Sequence, residues 1–343
     1  MAHSYRCPNC AANLLFDPDA RRMTCGFCES KISPHDILSK EGKDGFFIGE
    51  QRDDTESYNC SSCGAEFVVG EAAITSRCAY CDSASIISSR LSSGAKPAYI
   101  IPFRYGKEQA KECFIGWCRN KKFLPRKFTS RKNIESLMGV YIPVYLYDYP
   151  VDVDVILEIS TIDEYEKEQS NSSNYFERNK SGFLFWRRMP IDASNRINQK
   201  LMEQIEPYNY NYIQRFEAKY LSGFLAERPE VDRRKLDRVA REKVEEYVQA
   251  AVFESISKED SLVSYRDESR YHNPVAEFAL LPVWFLHYKY LGNDYKFILN
   301  GQTGEIAGEA PMSLLKLGIV SILCTAGVMG LLHLIGMLWR LYL

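Results

Sequence analysis

The sequence lacks the short motifs that mark common enzyme classes. Its 343 residues contain no G-x4-G-K-[ST] phosphate loop and no HExxH, GxSxG or GxGxxG motif. It has only five histidines, and His272 and His287 stand apart from any other candidate catalytic group. We therefore predict that the chain is not an enzyme.

The sequence also lacks an excess of either charge. Its 43 Lys and Arg residues are balanced by 45 Asp and Glu residues, so no general attraction to nucleic acid or to anionic membranes is expected. The first ten residues, MAHSYRCPNC, contain no apolar core of a signal peptide. We therefore expect the eleven cysteines to lie in a reducing compartment, where cysteines at metal spacing are ligands rather than disulfides.

Eight of the cysteines form a repeated pattern. C-x2-C-x14-C-x2-C occurs twice, and the second copy is displaced from the first by 53 residues without a slip. The first copy contains Cys7, Cys10, Cys25 and Cys28, and the second contains Cys60, Cys63, Cys78 and Cys81. A pair of C-x2-C turns joined by a short hairpin supplies the four thiolates of a tetrahedral zinc site. We therefore predict two zinc ribbons, each holding one structural Zn²⁺.

The segments between the cysteines support that hairpin. NLLF in the first copy aligns with EFVV in the second, and each reads as a short strand followed by a turn. The second copy has Gly64 after its second cysteine, where the backbone favours a left-handed residue, whereas the first copy has Ala11 there. Disulfides are the alternative pairing. Four cysteines leave no open coordination position, so a catalytic zinc is not expected.

The charges of the ribbons favour protein partners. Residues 3–36 carry four basic and four acidic side chains, and residues 58–90 carry two basic and three acidic ones. A ribbon that binds phosphate groups normally presents a basic face. Protein binding is therefore the preferred prediction.

An apolar run lies near the carboxyl terminus. Residues 317–338 contain no Asp, Glu, Lys or Arg, and Lys316 and Arg340 stand on either side. A helix of this length spans about 33 Å, which matches the hydrocarbon core of a bilayer. We predict a single transmembrane tail anchor, with the zinc ribbons on the reducing, cytoplasmic side. Small residues at Ser321, Thr325, Ala326 and Gly330 leave homo-oligomerisation through this helix open.

The middle of the chain predicts an α+β domain with antiparallel strands. YIPVYLYDYPVDVDV reads as a strand in which Asp152 and Asp154 alternate with valines and are expected on the exposed face. LLPVWFLHYKYLGNDYKF also reads as strand, and with the hairpin turns LGND and NGQTGE it predicts a meander of about three strands. The segment EYEKEQSNSSNYFERNKSG reads as an exposed loop or long hairpin tip. RPEVDRRKLDRVAREKVEEYVQAAVF predicts an amphipathic helix whose apolar stripe comprises Leu236, Val239, Ala240, Val244, Tyr247, Val248 and Ala251.

One segment of this domain is strongly basic. RNKKFLPRKFTSRK contains seven basic residues and no acidic one: Arg119, Lys121, Lys122, Arg126, Lys127, Arg131 and Lys132. A solvated surface, anionic lipid and nucleic acid are the alternatives for this segment.

The predicted domains follow from these features. We expect zinc ribbon 1 over residues 1–38, a linker over 39–57, zinc ribbon 2 over 58–90, an α+β domain over 91–311 and the transmembrane tail anchor over 314–340.

The paired ribbons together with GVYIPVYLYD, YLSGFLAE, LLPVWFL and NGQTGEIAGEAP before a terminal span give the chain a family resemblance. It resembles the bacterial TFIIB-type zinc-ribbon membrane proteins of the YdjG kind over nearly its whole length. Members often carry helicase-like names, but this sequence has no helicase motor motifs. The resemblance implies association with envelope-stress proteins, namely phage-shock-protein-A-like and flotillin-like (SPFH) partners.

These observations predict a non-enzymatic adaptor that recruits proteins to the cytoplasmic face of the membrane. The alternative is a membrane-tethered nucleic-acid-binding protein that uses the ribbons and the basic segment.

Overall fold

The computed structural model describes residues 2–3, 5–34, 56–59, 66–69, 73–77, 84–87, 96–125, 127–161, 174–194, 197, 199–257 and 260–342. The chain divides into two compact units. The first comprises Met1–Pro102, Tyr141–Gln199 and Asn209–Pro282, and the second comprises Phe103–Val140, Lys200–Tyr208 and Val283–Leu343.

The amino-terminal part of the first unit consists of short strands. They are β1 (Ala2–His3), β2 (Leu14–Asp17), β3 (Arg22–Cys25), β4 (Lys31–Ile32), β5 (Glu56–Asn59), β6 (Glu66–Val69), β7 (Thr75–Arg77) and β8 (Ala84–Ile87). β2, β3 and β4 form one antiparallel sheet, β5 pairs with β6, and β8 lies between β1 and β7. The strands expected at NLLF and EFVV are thus present as β2 and β6.

Longer strands and helices make up the rest of the chain. The strands are β9 (Tyr99–Ile100), β10 (Met138–Thr161), β11 (Asn174–Asp192), β12 (Gln214–Arg215), β13 (Leu225–Ala226), β14 (Asp260–Asp267), β15 (Arg270–Tyr271), β16 (Val275–Tyr290), β17 (Asn293–Asn300) and β18 (Ile306–Gly308). The helices are α1 (Lys107–Arg119), α2 (Arg131–Glu135), α3 (Gln199–Glu203), α4 (Arg233–Glu254) and α5 (Leu314–Tyr342), with 3-10 turns at Tyr210–Tyr212 and Ala218–Leu221.

The long strands β10 and β11 form the main antiparallel pairing of the first unit, with partners aligned from Val144↔Asp192 to Thr161↔Asn174. β14 and β15 pair with β10 as well, also antiparallel. Alternate residues of β10 from Tyr147 to Ile159 are buried, while Asp152 and Asp154 between them are exposed, as their alternation predicted.

Helix α4 covers the buried face of this pair. Leu236, Ala240, Val244, Val248 and Val252 recur at helical spacing and pack against the alternate apolar residues of β10 and β11. The Asp232 side chain caps the helix by accepting from the Arg234 N–H at 2.7 Å. The stripe is narrower than predicted, because Tyr247 and Ala251 are exposed.

Two acidic side chains are buried in this unit. Asp192 is 8% exposed and Glu227 is 7% exposed. The Asp192 carboxylate accepts from the Ser194 N–H at 2.9 Å. Burial, with a contribution from the neighbouring Glu227 charge, raises the pKa of Asp192 to about 7.

The second unit contains the predicted three-stranded meander. β17 pairs antiparallel with β16 from Val283↔Asn300 to Tyr290↔Asn293, and β18 pairs antiparallel with β17. α1 places Phe114 edge-on against Phe297 of β17, with ring centroids 4.8 Å apart. The predicted α+β class with antiparallel strands is therefore confirmed.

The turn after β17 is built around one buried amide. Asn300 is fully buried; its side-chain oxygen accepts from the Gln302 and Thr303 N–H groups, and its side-chain nitrogen donates to the Ile205 carbonyl. Gly304 closes the turn at φ +82°, and a Cβ there would lie 2.7 Å from the Tyr105 ring. NGQTG thus forms a turn that the Asn300 side chain holds in place.

The chain ends in the expected apolar helix. Within α5, residues Leu314–Met337 have a mean hydropathy of 2.1 in their most apolar window, and none of that window is buried. By length and composition this helix is able to cross a membrane.

The polar segment predicted as a loop or hairpin tip is strand from Asn174 onward, where β11 begins.

Candidate metal centre

The first four cysteines converge at one end of the β2–β3 hairpin. The sulfur atoms of Cys7, Cys10, Cys25 and Cys28 all lie within 4.8 Å of one another. The Sγ atom of Cys28 is 3.6 Å from that of Cys7, and the Sγ atom of Cys10 is 3.4 Å from those of both Cys25 and Cys28. The pattern therefore brings together in space the first predicted ligand set.

The two C-x2-C turns have the same backbone geometry. The Ala11 N–H donates to the Cys7 carbonyl at 2.8 Å, and the Glu29 N–H donates to the Cys25 carbonyl at 3.0 Å. Ala11 has φ +59° and Glu29 has φ +56°, so both adopt the left-handed conformation that a side chain disfavours. Each C-x2-C turn, or knuckle, thus holds one residue in a backbone conformation of raised free energy, and its two cysteine sulfurs face inward.

Backbone amides point at the sulfurs. The N–H groups of Cys28 and Phe27 lower the pKa of the Cys25 thiol. The hydroxyl and N–H of Ser30 lower the pKa of the Cys28 thiol to about 6. These donors favour the thiolate form, which is the form that binds metal.

Crowding acts in the opposite direction on the pKa of Cys10. The Ala12 N–H favours the Cys10 thiolate, but burial and the adjacent Cys25 and Cys28 sulfurs raise the pKa of Cys10 to about 12. Four neighbouring sulfurs cannot all carry negative charge unless a cation lies between them. The arrangement therefore fits a divalent metal ion.

The spacing agrees with zinc. Zn–S bonds of about 2.3 Å in a tetrahedron put neighbouring sulfurs about 3.8 Å apart. The Cys7–Cys28, Cys10–Cys25 and Cys10–Cys28 sulfur separations of 3.4–3.6 Å are close to that value. All four ligand positions would be filled by cysteine, which is typical of a structural site. The second predicted set, Cys60, Cys63, Cys78 and Cys81, lies outside the described residues.

Ser30 is a further component of the first site. Its hydroxyl lies 2.9 Å from the Cys28 sulfur and accepts from the Asn9 side-chain amide at 2.8 Å. The Asn9–Ser30 bond links the two knuckles beside the sulfurs. Ser83 stands at the corresponding position of the second copy, 53 residues later.

The hairpin of the first ribbon is attached to the segment Tyr220–Phe224. The Phe16 N–H donates to the Ser222 carbonyl at 3.0 Å, and the Ser222 hydroxyl donates to the Leu14 carbonyl at 2.6 Å. Phe16 packs edge-on against Tyr220, with ring centroids 5.4 Å apart. YLSGF, which contributed to the family resemblance, is therefore a docking segment for the ribbon.

A segment of the second cysteine repeat meets the adjoining residues. The Ile74 N–H donates to the Ala226 carbonyl at 2.7 Å, and the Thr75 hydroxyl donates to the Phe224 carbonyl at 2.8 Å. Ile74 is 1% exposed. Residues 222–226 thus bind backbone from both repeats.

The basic segment begins at the end of α1. Arg119, Lys121, Lys122, Lys127 and Arg131 are exposed. Lys132 lies within α2, and Arg126 lies outside the described residues. The structure thus presents the described basic side chains to solvent on the second unit.

Sequence reasoning missed two residues that matter at the metal centre, Ser30 and Ser222. Ser30 recurs in the second repeat, and this recurrence was a signal that the sequence contained. Ser222 lies more than 200 residues from the hairpin that it contacts, so no local pattern identifies it.

Comparison with known proteins places the chain in a family. YdjG of Bacillus subtilis (strain 168), described as an uncharacterized protein, is 30% identical over 316 residues, which is 91% of this chain and 91% of YdjG. No protein-family model matches the chain, and no solved structure matches it. At this identity, and with most of each chain covered, the chain belongs to the YdjG family.

Proposed function

We propose that the chain is a zinc-binding, tail-anchored adaptor that holds protein partners at the cytoplasmic face of the membrane. The observation that carries the proposal is a closed four-cysteine centre in a chain that ends in an apolar helix. Zinc would act in fold stabilisation, because four cysteine ligands leave no position for a substrate or water. The same role is proposed for a second ion at Cys60, Cys63, Cys78 and Cys81.

The first ribbon offers one exposed aromatic side chain. Phe27 lies between Cys25 and Cys28 and is 81% exposed, although its backbone N–H is fixed on the Cys25 sulfur. An aromatic residue on a rigid turn is a favourable anchor for a protein interface, because its ordering costs little entropy. Tyr80 stands at the equivalent position of the second repeat.

Docking of the ribbon supports a scaffold rather than a flexible tether. The Ser222 bonds and the Phe16–Tyr220 contact fix the first ribbon within its unit. A partner that binds Phe27 would therefore meet a preorganised surface, which reduces the entropy lost on binding.

The proposed orientation rests on the thiolates. Cysteines that bind zinc need a reducing environment, so the ribbons belong in the cytoplasm and the end of α5 on the far side of the membrane. The family resemblance makes phage-shock-protein-A-like and flotillin-like proteins the first partners to test.

Crosslinking on intact membranes tests the adaptor role. The full chain, Phe27→Ser and the control Leu291→Ser are compared; Leu291 is 69% exposed in the turn between β16 and β17. We expect Phe27→Ser to retain zinc but lose a defined set of crosslinked proteins, while Leu291→Ser retains that set. Identical crosslinked sets for all three chains would contradict the proposal. Cys60→Ser with Cys63→Ser tests the second ribbon in the same assay.

Nucleic-acid binding is the second candidate, favoured by the exposed basic segment. The first ribbon argues against it, because exposed Arg6, Arg21, Arg22 and Lys31 alternate with acidic Asp19 and Glu29. Fluorescence anisotropy of single- and double-stranded oligonucleotides with the detergent-solubilised chain separates the candidates. Micromolar or tighter binding with a steep salt dependence would favour nucleic acid.

A further inference from the structure

The basic segment is joined to the start of the apolar helix. The Ser313 N–H donates to the Phe123 carbonyl at 2.8 Å, and the Lys316 ammonium donates to the Leu124 carbonyl at 2.7 Å. Leu124 is buried, so this attachment is part of the fold of the second unit. A loop separated from α5 by almost 200 residues of sequence therefore lies beside its first turn.

This attachment determines the depth of the loop relative to a bilayer. The apolar span begins at Leu314. Residues hydrogen-bonded to positions 313 and 316 therefore lie where hydrocarbon meets headgroups, if α5 crosses the membrane. Met312, Leu314 and Leu315 are each more than 60% exposed at the same place, as expected for side chains that face lipid.

The charges at this place have one sign. Arg119, Lys121, Lys122 and Lys127 are exposed, and no carboxylate in the described part of the chain forms an ion pair with them. The sequence contains no Asp or Glu from 113 to 134. By contrast, Lys111 of the same unit is paired with Glu108 and Glu135.

An aromatic residue completes the surface. The Lys121 ammonium lies 4.6 Å from the centre of the Trp117 ring, which is half-buried between Phe114 and Phe297. Trp is favoured at the headgroup level of membranes, and the contact holds the Lys121 charge beside it.

We propose that Trp117, Arg119, Lys121, Lys122 and Lys127 form a binding surface for anionic phospholipid headgroups at the base of α5. The inference rests on the proposed membrane anchorage and adds a lipid preference to it. A negatively charged leaflet attracts each nearby Lys or Arg with an affinity gain of about 5-fold. The surface would draw the second unit toward the anionic cytoplasmic leaflet, which agrees with the orientation proposed from the thiolates.

The test uses the full chain in vesicles of phosphatidylcholine with a minor fraction of phosphatidylglycerol. Electron paramagnetic resonance of spin-labelled lipids gives the association constant of phosphatidylglycerol relative to phosphatidylcholine. We expect a several-fold preference for phosphatidylglycerol that falls at high salt and is lost in Lys121→Gln/Lys122→Gln/Lys127→Gln. The matched control, Arg234→Gln/Lys235→Gln/Arg238→Gln, removes the same charge from exposed positions of α4 and should retain the preference.

Hydrogen exchange of peptides from 117–132 locates the effect. These peptides should exchange more slowly in vesicles that contain phosphatidylglycerol than in pure phosphatidylcholine, for the wild type and the control only. Equal preference and equal exchange in all three chains would overturn the lipid proposal. Protection of the same peptides by a single-stranded oligonucleotide, in neutral vesicles at physiological salt, would overturn it in favour of nucleic acid.

The outcomes also separate this proposal from the adaptor. A chain that inserts without lipid preference refutes only the headgroup surface. A chain recovered outside the vesicles refutes the anchorage and the lipid surface together. The Phe27 crosslinking comparison is independent of the lipid preference, because Phe27 lies in the first unit and the headgroup surface lies in the second.

Discussion

Replacing Ser222 by alanine removes the side-chain hydrogen bond that ties the first cysteine ribbon to its unit. The Ser222 hydroxyl donates at 2.6 Å to the carbonyl of Leu14, a residue that is 1% exposed. Loss of a donor to a buried carbonyl costs about 1–3 kcal/mol. If the ribbon detaches as a local unit, its detached population should rise by about 5- to 150-fold, since 1.4 kcal/mol is a factor of ten.

Hydrogen exchange of the zinc-loaded chain measures this change directly. The Phe16 N–H, which donates to the Ser222 carbonyl, should exchange faster in Ser222→Ala by that factor. Amides of α4, which packs on β10 and β11 within the same unit, should keep their wild-type rates. The control is Ser136→Ala, because the Ser136 hydroxyl donates to the Asn133 carbonyl in an exposed hydrogen bond of the other unit.

Two results would refute this reasoning. If the Phe16 amide exchanges at the wild-type rate in Ser222→Ala, the hydroxyl bond does not hold the ribbon. If α4 amides accelerate by the same factor as Phe16, the ribbon and its unit open together and docking is not a local equilibrium.

Three further predictions address the turn, the buried acid and the metal. Gly304→Ala should lower the free energy of unfolding by more than Gly292→Ala does. Both glycines have φ +82°, but only at position 304 would a Cβ lie 2.7 Å from the Tyr105 ring. Equal losses of stability in chemical denaturation would contradict this clash. Burial raises the pKa of Asp192 to about 7, so the folded state holds this proton more tightly and stability falls as pH rises from about 4 to 7. Asp192→Asn should remove up to about 4 kcal/mol of that pH dependence. If the difference in unfolding free energy between the wild type and this variant is constant from pH 5 to pH 8, the raised pKa of Asp192 is refuted. Cys10→Ser should leave one zinc fewer per chain by elemental analysis, and unchanged zinc content would show that Cys10 is not a ligand.

The sequence by itself determined the features that depend on local spacing. The C-x2-C turns place two sulfurs on one knuckle, and the left-handed residues that follow them, Ala11 and Glu29, occur at the same step in both turns. The alternation of Asp152 and Asp154 with valines predicted a half-exposed strand, and the spacing of Leu236, Ala240 and Val244 predicted the helix that covers it. The apolar run predicted α5, because the length of an uncharged apolar stretch is read directly from the sequence.

Tertiary structure alone decided what those elements meet. Ser222 contacts Leu14, and Lys316 contacts Leu124, across about 200 residues of sequence in each case. Such contacts depend on shape and on which backbone groups remain unpaired after the strands form, and neither property is encoded in a short window. The position of the basic segment beside the apolar helix is therefore a property of the folded second unit, although its charge was evident from the sequence.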